Sequence, residues 1–327
     1  MRAAARAAAL APLFAGALAC SRGPRVWVTN ERGGTVTVID QKTNRAVGSI
    51  AVGSRPRGVV WTHGRLFVAL TNQNTRRPGA VAAVAQVDVG GHGAIRRFPG
   101  GTDPEGIAAS PDGATLYVAN EDASAASVVD ARAGKVLEEL AVGIEPEGVA
   151  VSPDGRWVYV TAETSGTVSV IDAQKRAVVA NVQVGQRPRS AAFSPDGRRA
   201  YVSAELGANV TLIDVAAGHV AVRTVPVAPP ARPCGVAVSP DGRTVYVATG
   251  RGDSVVFLDA DTLAERARVR VGQRPWGIAL ADQGRRLYTA NGVSNDVSVV
   301  DTAAARVIAT IGAGDGPWGI AVEGARR

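Results

Sequence analysis

The chain has 327 residues, 46% of them hydrophobic and 20% charged, a balance that excludes a disordered polymer and supplies ample material for a packed core. Its two cysteines exclude a disulfide framework and a cysteine-rich zinc site. The formal charge is +7, but all except three of the 36 basic residues are arginine in a chain rich in Ala and Gly, so the charge reflects composition more than a polyanion partner.

Residues 1–19 read as a signal peptide. Arg2 and Arg6 precede an apolar stretch from Ala7 to Ala19, which is shorter than the ~20 residues that span a bilayer. Ala17-Leu18-Ala19 is a cleavage signal and abuts Cys20; the stretch resembles a bacterial lipobox, with Ala17 where Leu is usual. The expectation is an exported, periplasmic lipoprotein acylated on Cys20, tethered by residues 20–24 and touching the membrane only through its lipid.

Residues 25–327 form one repeating domain. Seven x-Pro-x-Gly-type segments, at Pro56, Pro104, Pro146, Pro188, Pro233, Pro275 and Pro317, recur every 42 to 48 residues. Seven aspartates closing Val/Ile-rich runs, Asp40, Asp88, Asp130, Asp172, Asp214, Asp259 and Asp301, keep the same spacing. In the fourth unit, Gly148–Ser152 is strand A, Pro153-Asp154-Gly155 a turn, Val158–Ala162 strand B, Thr167–Ile171 strand C and Val178–Val184 strand D. Four short strands per ~40–45 residues predict an all-β, seven-bladed propeller. The chain starts on a strand B (25–29) and ends on a strand A (318–322), so the C-terminal strand should join the N-terminal three and close the ring, leaving no exposed edge.

Features present in every repeat serve the blade. The seven aspartates should therefore cap backbone amides of the C–D turns. His63, His92 and His219 fall in turns on the opposite face to the D–A and B–C loops and read as solvated. Cys234 reads as a small, partly buried residue.

Function should lie where the sevenfold pattern breaks. Around the channel mouth, the D–A loops carry Arg55 and Arg57, Asp103 and Glu105, Glu145 and Glu147, Arg187 and Arg189, Arg232 and Cys234, Arg274 and Trp276, then Trp318. Blades three and four thus form an acidic sector, extended by Glu121 and Glu163. Arginine dominates blades two and five to seven, and two tryptophans sit in blades seven and one. One expectation is a polarised funnel in which Arg55, Arg57, Arg187, Arg189, Arg232, Arg274, Trp276 and Trp318 bind a small anionic ligand. The bland alternative is mutual neutralisation of neighbouring loops. Asp103, Glu105, Glu145 and Glu147 are candidate oxygen ligands for Ca²⁺. Two longer loops, around 74–79 and 228–232, also lie on this face.

The strings Val26-Trp-Val-Thr-Asn30, Leu116-Tyr-Val-Ala-Asn120 and Leu287-Tyr-Thr-Ala-Asn291, with Ser-Pro-Asp-Gly and Gly-Val-Ala-Val, resemble the YVTN-type propeller repeat over residues 25–322. Asn291–Ser298, Gly316–Ala321 and Gln186–Arg189 are similar to exported propellers associated with PQQ-dependent alcohol catabolism. That resemblance implies a non-enzymatic binder of a small anion, PQQ among them, or of a partner such as a periplasmic quinoprotein dehydrogenase or transport component. The alternatives are a lactonase-like or metal-dependent hydrolase using the mouth carboxylates, and a nucleic-acid-binding propeller, which the nearby acids disfavour.

Overall fold

The computed structural model describes residues 23–71, 82–89 and 94–324. The signal peptide, Cys20, His92 and the longer loop around 74–79 lie outside the described residues. The architecture is seven four-stranded antiparallel sheets, and strand Pro317–Val322 pairs with Arg25–Asn30 in the first of them. Val26 sits opposite Val322, and Asn30 opposite Pro317, so one blade takes its inner strand from the end of the chain and its outer three from the beginning. The ring is closed. No helix among the described residues is long and apolar enough to cross a membrane.

Burial follows strand position. Arg25–Asn30 and Thr167–Asp172, strands B and C of blades one and four, are buried throughout. The outermost strands, such as Arg45–Ala51, are mostly exposed. The core is therefore a set of interfaces between neighbouring blades. Trp27, Val36 and Val38 of blade one pack on Leu66 and Val68 of blade two, and Tyr159 of blade four packs against Val202 and Ile213 of blade five. Each such side chain contributes about 1.5–3 kcal/mol by leaving water.

The turn aspartates act as expected wherever the turn is described. Oδ1 of Asp40, Asp130, Asp172, Asp259 and Asp301 each accepts backbone N–H bonds from residues two and three positions ahead, and Asp214 accepts from Ala217. In the Ser-Pro-Asp-Gly turns, Ser152 and Ser194 donate to Asp154 and Asp196 at 2.5 Å, which fixes the A–B hairpins.

Three details differ from the sequence reading. Six of the seven inner strands begin at the proline, as in Pro146–Val151, because the proline itself pairs with the B strand. The outer strand of that blade is Ala177–Gln183, one residue earlier than expected. His219 is buried: its Nδ1 lies 2.8 Å from the Tyr159 hydroxyl, and the Trp157 ring meets it edge-on at 4.4 Å. A turn histidine is buried here because the aromatic residues of the preceding blade reach under it.

Candidate active site

Each inner strand delivers one side chain to the mouth, at the position after its proline. The next residue is glycine in six blades, because neighbouring inner strands approach too closely for a side chain. A Cβ on Gly106 would stand 2.1 Å from the Glu147 carbonyl oxygen, and one on Gly148 2.3 Å from that of Arg189. Blade five has Ser190 there instead, facing a blade six whose inner strand is shortened to Val236–Val238. The three extra residues of the 228–232 loop precede this shortened strand. Its approach, Arg232 and Cys234, is held by backbone N–H bonds to Thr249 and Ala248.

The seven inner strands enclose a cavity of about 200 Å³. Val59, Ile107, Val149, Val236, Ile278 and Ile320 form its apolar wall, and Glu147, Arg189, Ser190, Cys234, Trp276 and Trp318 its polar and aromatic part. The Trp276 and Trp318 rings stack with centroids 6.4 Å apart and 25° between planes. Guanidinium carbons extend the stack at both ends: Arg57 lies 5.6 Å from the Trp318 ring, and Arg274 and Arg189 lie 4.6 and 5.4 Å from Trp276.

The acidic and basic sectors do not stay apart. In one network, Arg57 bonds Glu105 and, at 3.0 Å, Glu31, while Arg55 bonds Glu31 at 2.6 Å. In the other, Nη1 of Arg189 donates to both Glu147 and Glu163, and its Nε and Nη2 reach Glu205 at 2.7 Å. Arg187 donates to Glu163 at 2.5 Å, and Arg274 lies 4.0 Å from Glu205. Arg232 donates to the backbone carbonyl of Leu206 at 3.4 Å. Glu145 turns outward and accepts the Thr164 hydroxyl, so the four expected Ca²⁺ ligands do not converge. Asp103 and Glu105 instead gather with Glu121, their carboxylate oxygens within 4.8 Å of one another.

Burial sets the acid–base properties. It works against ionisation of Glu147, yet Arg189, a hydrogen bond from Glu163 and the charge of Arg57 hold that carboxyl below the usual range. Burial, then the hydrogen bond and charge of Glu147, push Glu163 up to about 8 against Arg189 and Arg187. The pair therefore shares a single proton at neutral pH. Burial raises the Cys234 thiol far above its ordinary value, so it is not a nucleophile. Among the described residues no histidine reaches the mouth.

Glu31, Glu205 and Ser190 escaped the sequence reading. The signal was present: Glu31 and Glu205 follow their B strands at the position that Glu121 and Glu163 occupy, and Ser190 interrupts a ring of glycines.

Two family descriptions match the chain: SMP-30/Gluconolactonase/LRE-like region over residues 8–206, and Lactonase, 7-bladed beta-propeller, over residues 172–306. No curated protein matches it. Among solved structures, hydrazine synthase of Kuenenia stuttgartiensis is 26% identical, covering 85% of this chain and 92% of that one at a TM-score of 0.75. The periplasmic gluconolactonase PpgL of Pseudomonas aeruginosa is 21% identical, covering 92% and 99% at 0.74. A candidate 6-phosphogluconolactonase of Bacteroides uniformis is 19% identical, covering 92% and 100% at 0.76. At these identities the last two show the fold alone. The family matches overturn the expectation of a non-enzymatic accessory to quinoprotein oxidation and favour its lactonase-like alternative.

Proposed function

Since the chain belongs to the SMP-30/Gluconolactonase/LRE-like family, we propose that it hydrolyses the ring ester of a lactone in the cavity at its channel mouth. The observation that carries this reading is the proton-sharing pair Glu147–Glu163 on Arg189, beside a cavity lined by Glu147, Arg189 and the stacked tryptophans. Glu147 is the ionised, cavity-lining member and acts as general base. It takes a proton from water as the water oxygen adds to the lactone carbonyl carbon. The ring C–O bond then breaks, and the same carboxyl returns the proton to the departing alkoxide. Arg189 places positive charge beside the developing oxyanion, and Trp276 and Trp318 offer flat apolar surface to the substrate ring. Glu163 is a positioning residue that holds the shared proton.

The repeat strings support a YVTN-type lineage within this fold. The leader-like residues 1–19 and the periplasmic gluconolactonase neighbour support work outside the cytoplasm, with Cys20 carrying the lipid.

The test is a pH-stat assay on D-glucono-1,5-lactone, its 6-phosphate and dihydrocoumarin, corrected for spontaneous opening. Wild type should exceed the uncatalysed rate on at least one of them, and Glu147→Gln should lose about 10²–10⁴-fold, the usual contribution of a positioned base. Rates equal to the blank on all three, or an undiminished variant, overturn the proposal.

A further inference from the structure

We infer that the cavity selects benzo-fused and comparably flat, apolar lactones, polar only at the ester, over sugar lactones and their phosphates. The inference rests on the hydrolytic reading and names the substrate class of that site. At about 200 Å³ the cavity suits a ligand of one or two rings, and D-glucono-1,5-lactone and dihydrocoumarin both meet that limit. Size does not choose between them. The chemistry of the wall does.

The wall is apolar by repetition. In six blades the residue after the inner-strand glycine is Val or Ile, from Val59 round to Ile320, and all six line the cavity. Blade five is the exception, with Ser190-Ala191 in place of the glycine and its larger neighbour. Polar side chains gather at that side: Glu147, Arg189 and Ser190 come from blades four and five. Cys234 adds little, because its thiol already donates to the Arg232 carbonyl at 3.2 Å. Trp276 and Trp318, of blades seven and one, stand across the ring, stacked and only half-buried. The cavity therefore has one polar end, enough for a single ester, and an aromatic wall facing it.

A sugar lactone brings hydroxyls round its ring. Pressed against valine and isoleucine, each would give up water and find no side-chain partner, which is costly. The same surface favours a benzo ring, which gains by leaving water. A phosphate fares worse. The guanidinium groups of Arg55, Arg57, Arg187, Arg189 and Arg274 all lie within 4.0 Å of a carboxylate. To hold a phosphate, one of them would have to leave an acid unpaired, and the dianion would then stand beside that acid.

Cyclic amides, which resist hydrolysis, separate binding from turnover. Full-length protein is titrated, by calorimetry and tryptophan fluorescence, with 3,4-dihydro-2-quinolinone, the amide counterpart of dihydrocoumarin, and with D-glucono-1,5-lactam. Blank-corrected rates on dihydrocoumarin, gluconolactone and its 6-phosphate are measured alongside. The quinolinone should bind at least about tenfold more tightly than the gluconolactam, and kcat/KM should rank dihydrocoumarin first by a similar factor. Trp318→Leu keeps apolar bulk and loses the ring; it should weaken the quinolinone about three- to tenfold and change the gluconolactam by no more than about twofold. Three results overturn the substrate class: no quinolinone binding at millimolar concentration, gluconolactam binding as tight as the quinolinone, or a higher kcat/KM on gluconolactone or its phosphate. Quinolinone affinity unchanged in Trp318→Leu overturns it as well. Quinolinone binding without dihydrocoumarin turnover instead overturns the hydrolytic reading and leaves the apolar ligand class standing.

Discussion

Glu147 and Glu163 meet on a single nitrogen, Nη1 of Arg189, although the first stands after the proline of an inner strand and the second at the end of the adjoining strand. Two carboxyls in one buried place cannot both ionise at low cost, and the arginine decides which one keeps its charge.

That relationship predicts a pH dependence. Glu163 titrates near 8 in the folded protein against an ordinary value of 4.5. The native state thus holds a proton that the unfolded chain releases above 4.5. This stabilisation is complete below 4.5 and is lost as pH rises through about 8. Thermal melts from pH 5 to 9 should show that decline in wild type and a flatter profile in Glu163→Gln. Lactone hydrolysis, corrected for the blank, should fall above pH 8 when the shared proton leaves.

Arg189 has three buried carboxyl partners, and its side chain is only 9% exposed. Arg189→Ala should destabilise the fold by about 3–5 kcal/mol, because the acids lose their counterion. Arg232→Ala, losing only a long bond to a carbonyl, should stay within about 0.5 kcal/mol. Chemical denaturation of both variants measures the difference.

The buried His219 is held below its ordinary value by burial and by the charge of Arg156. The unfolded chain takes up a proton near pH 6.5 that the native state resists. Stability should therefore drop as pH falls through 6.5, with the loss absent in His219→Phe. Tyr159→Phe, which removes the bond to the ring, should cost about 1 kcal/mol near neutral pH.

Gly106→Ala would push a methyl group into the Glu147 carbonyl, whereas a Cβ on Gly48 meets nothing within 4 Å. Overpacking should cost the first variant about 1–3 kcal/mol or more, and leave the second near wild type. Equal melting temperatures for the two would mean that neighbouring inner strands can move apart.

The blades were legible because Pro, Gly and Asp recur at hairpins whose geometry is local, and the closing strand followed from counting strands at each end. The site was only half legible. Arg57, Arg189, Trp276 and Trp318 were found because they interrupt a repeat. Their pairings were hidden, because Arg57 meets Glu105 across 48 residues and Tyr159 meets His219 across 60. Such contacts depend on the rotation between neighbouring blades, which no window of sequence records. His219 was misread for the same reason: a turn looks solvated until the preceding blade is beside it. Separate charge sectors on paper became ion pairs once adjoining loops were brought within reach.

Trp318 belongs to the strand that completes blade one, and it stacks on Trp276 as part of the cavity wall. The pocket therefore cannot be complete before the ring is. A ribosome that stalls before residue 317, or a protease that trims the final strand, yields a molecule with most of its blades and half of its aromatic floor. Ring closure and the cavity wall thus rest on the same few residues, so a chain that loses one loses the other.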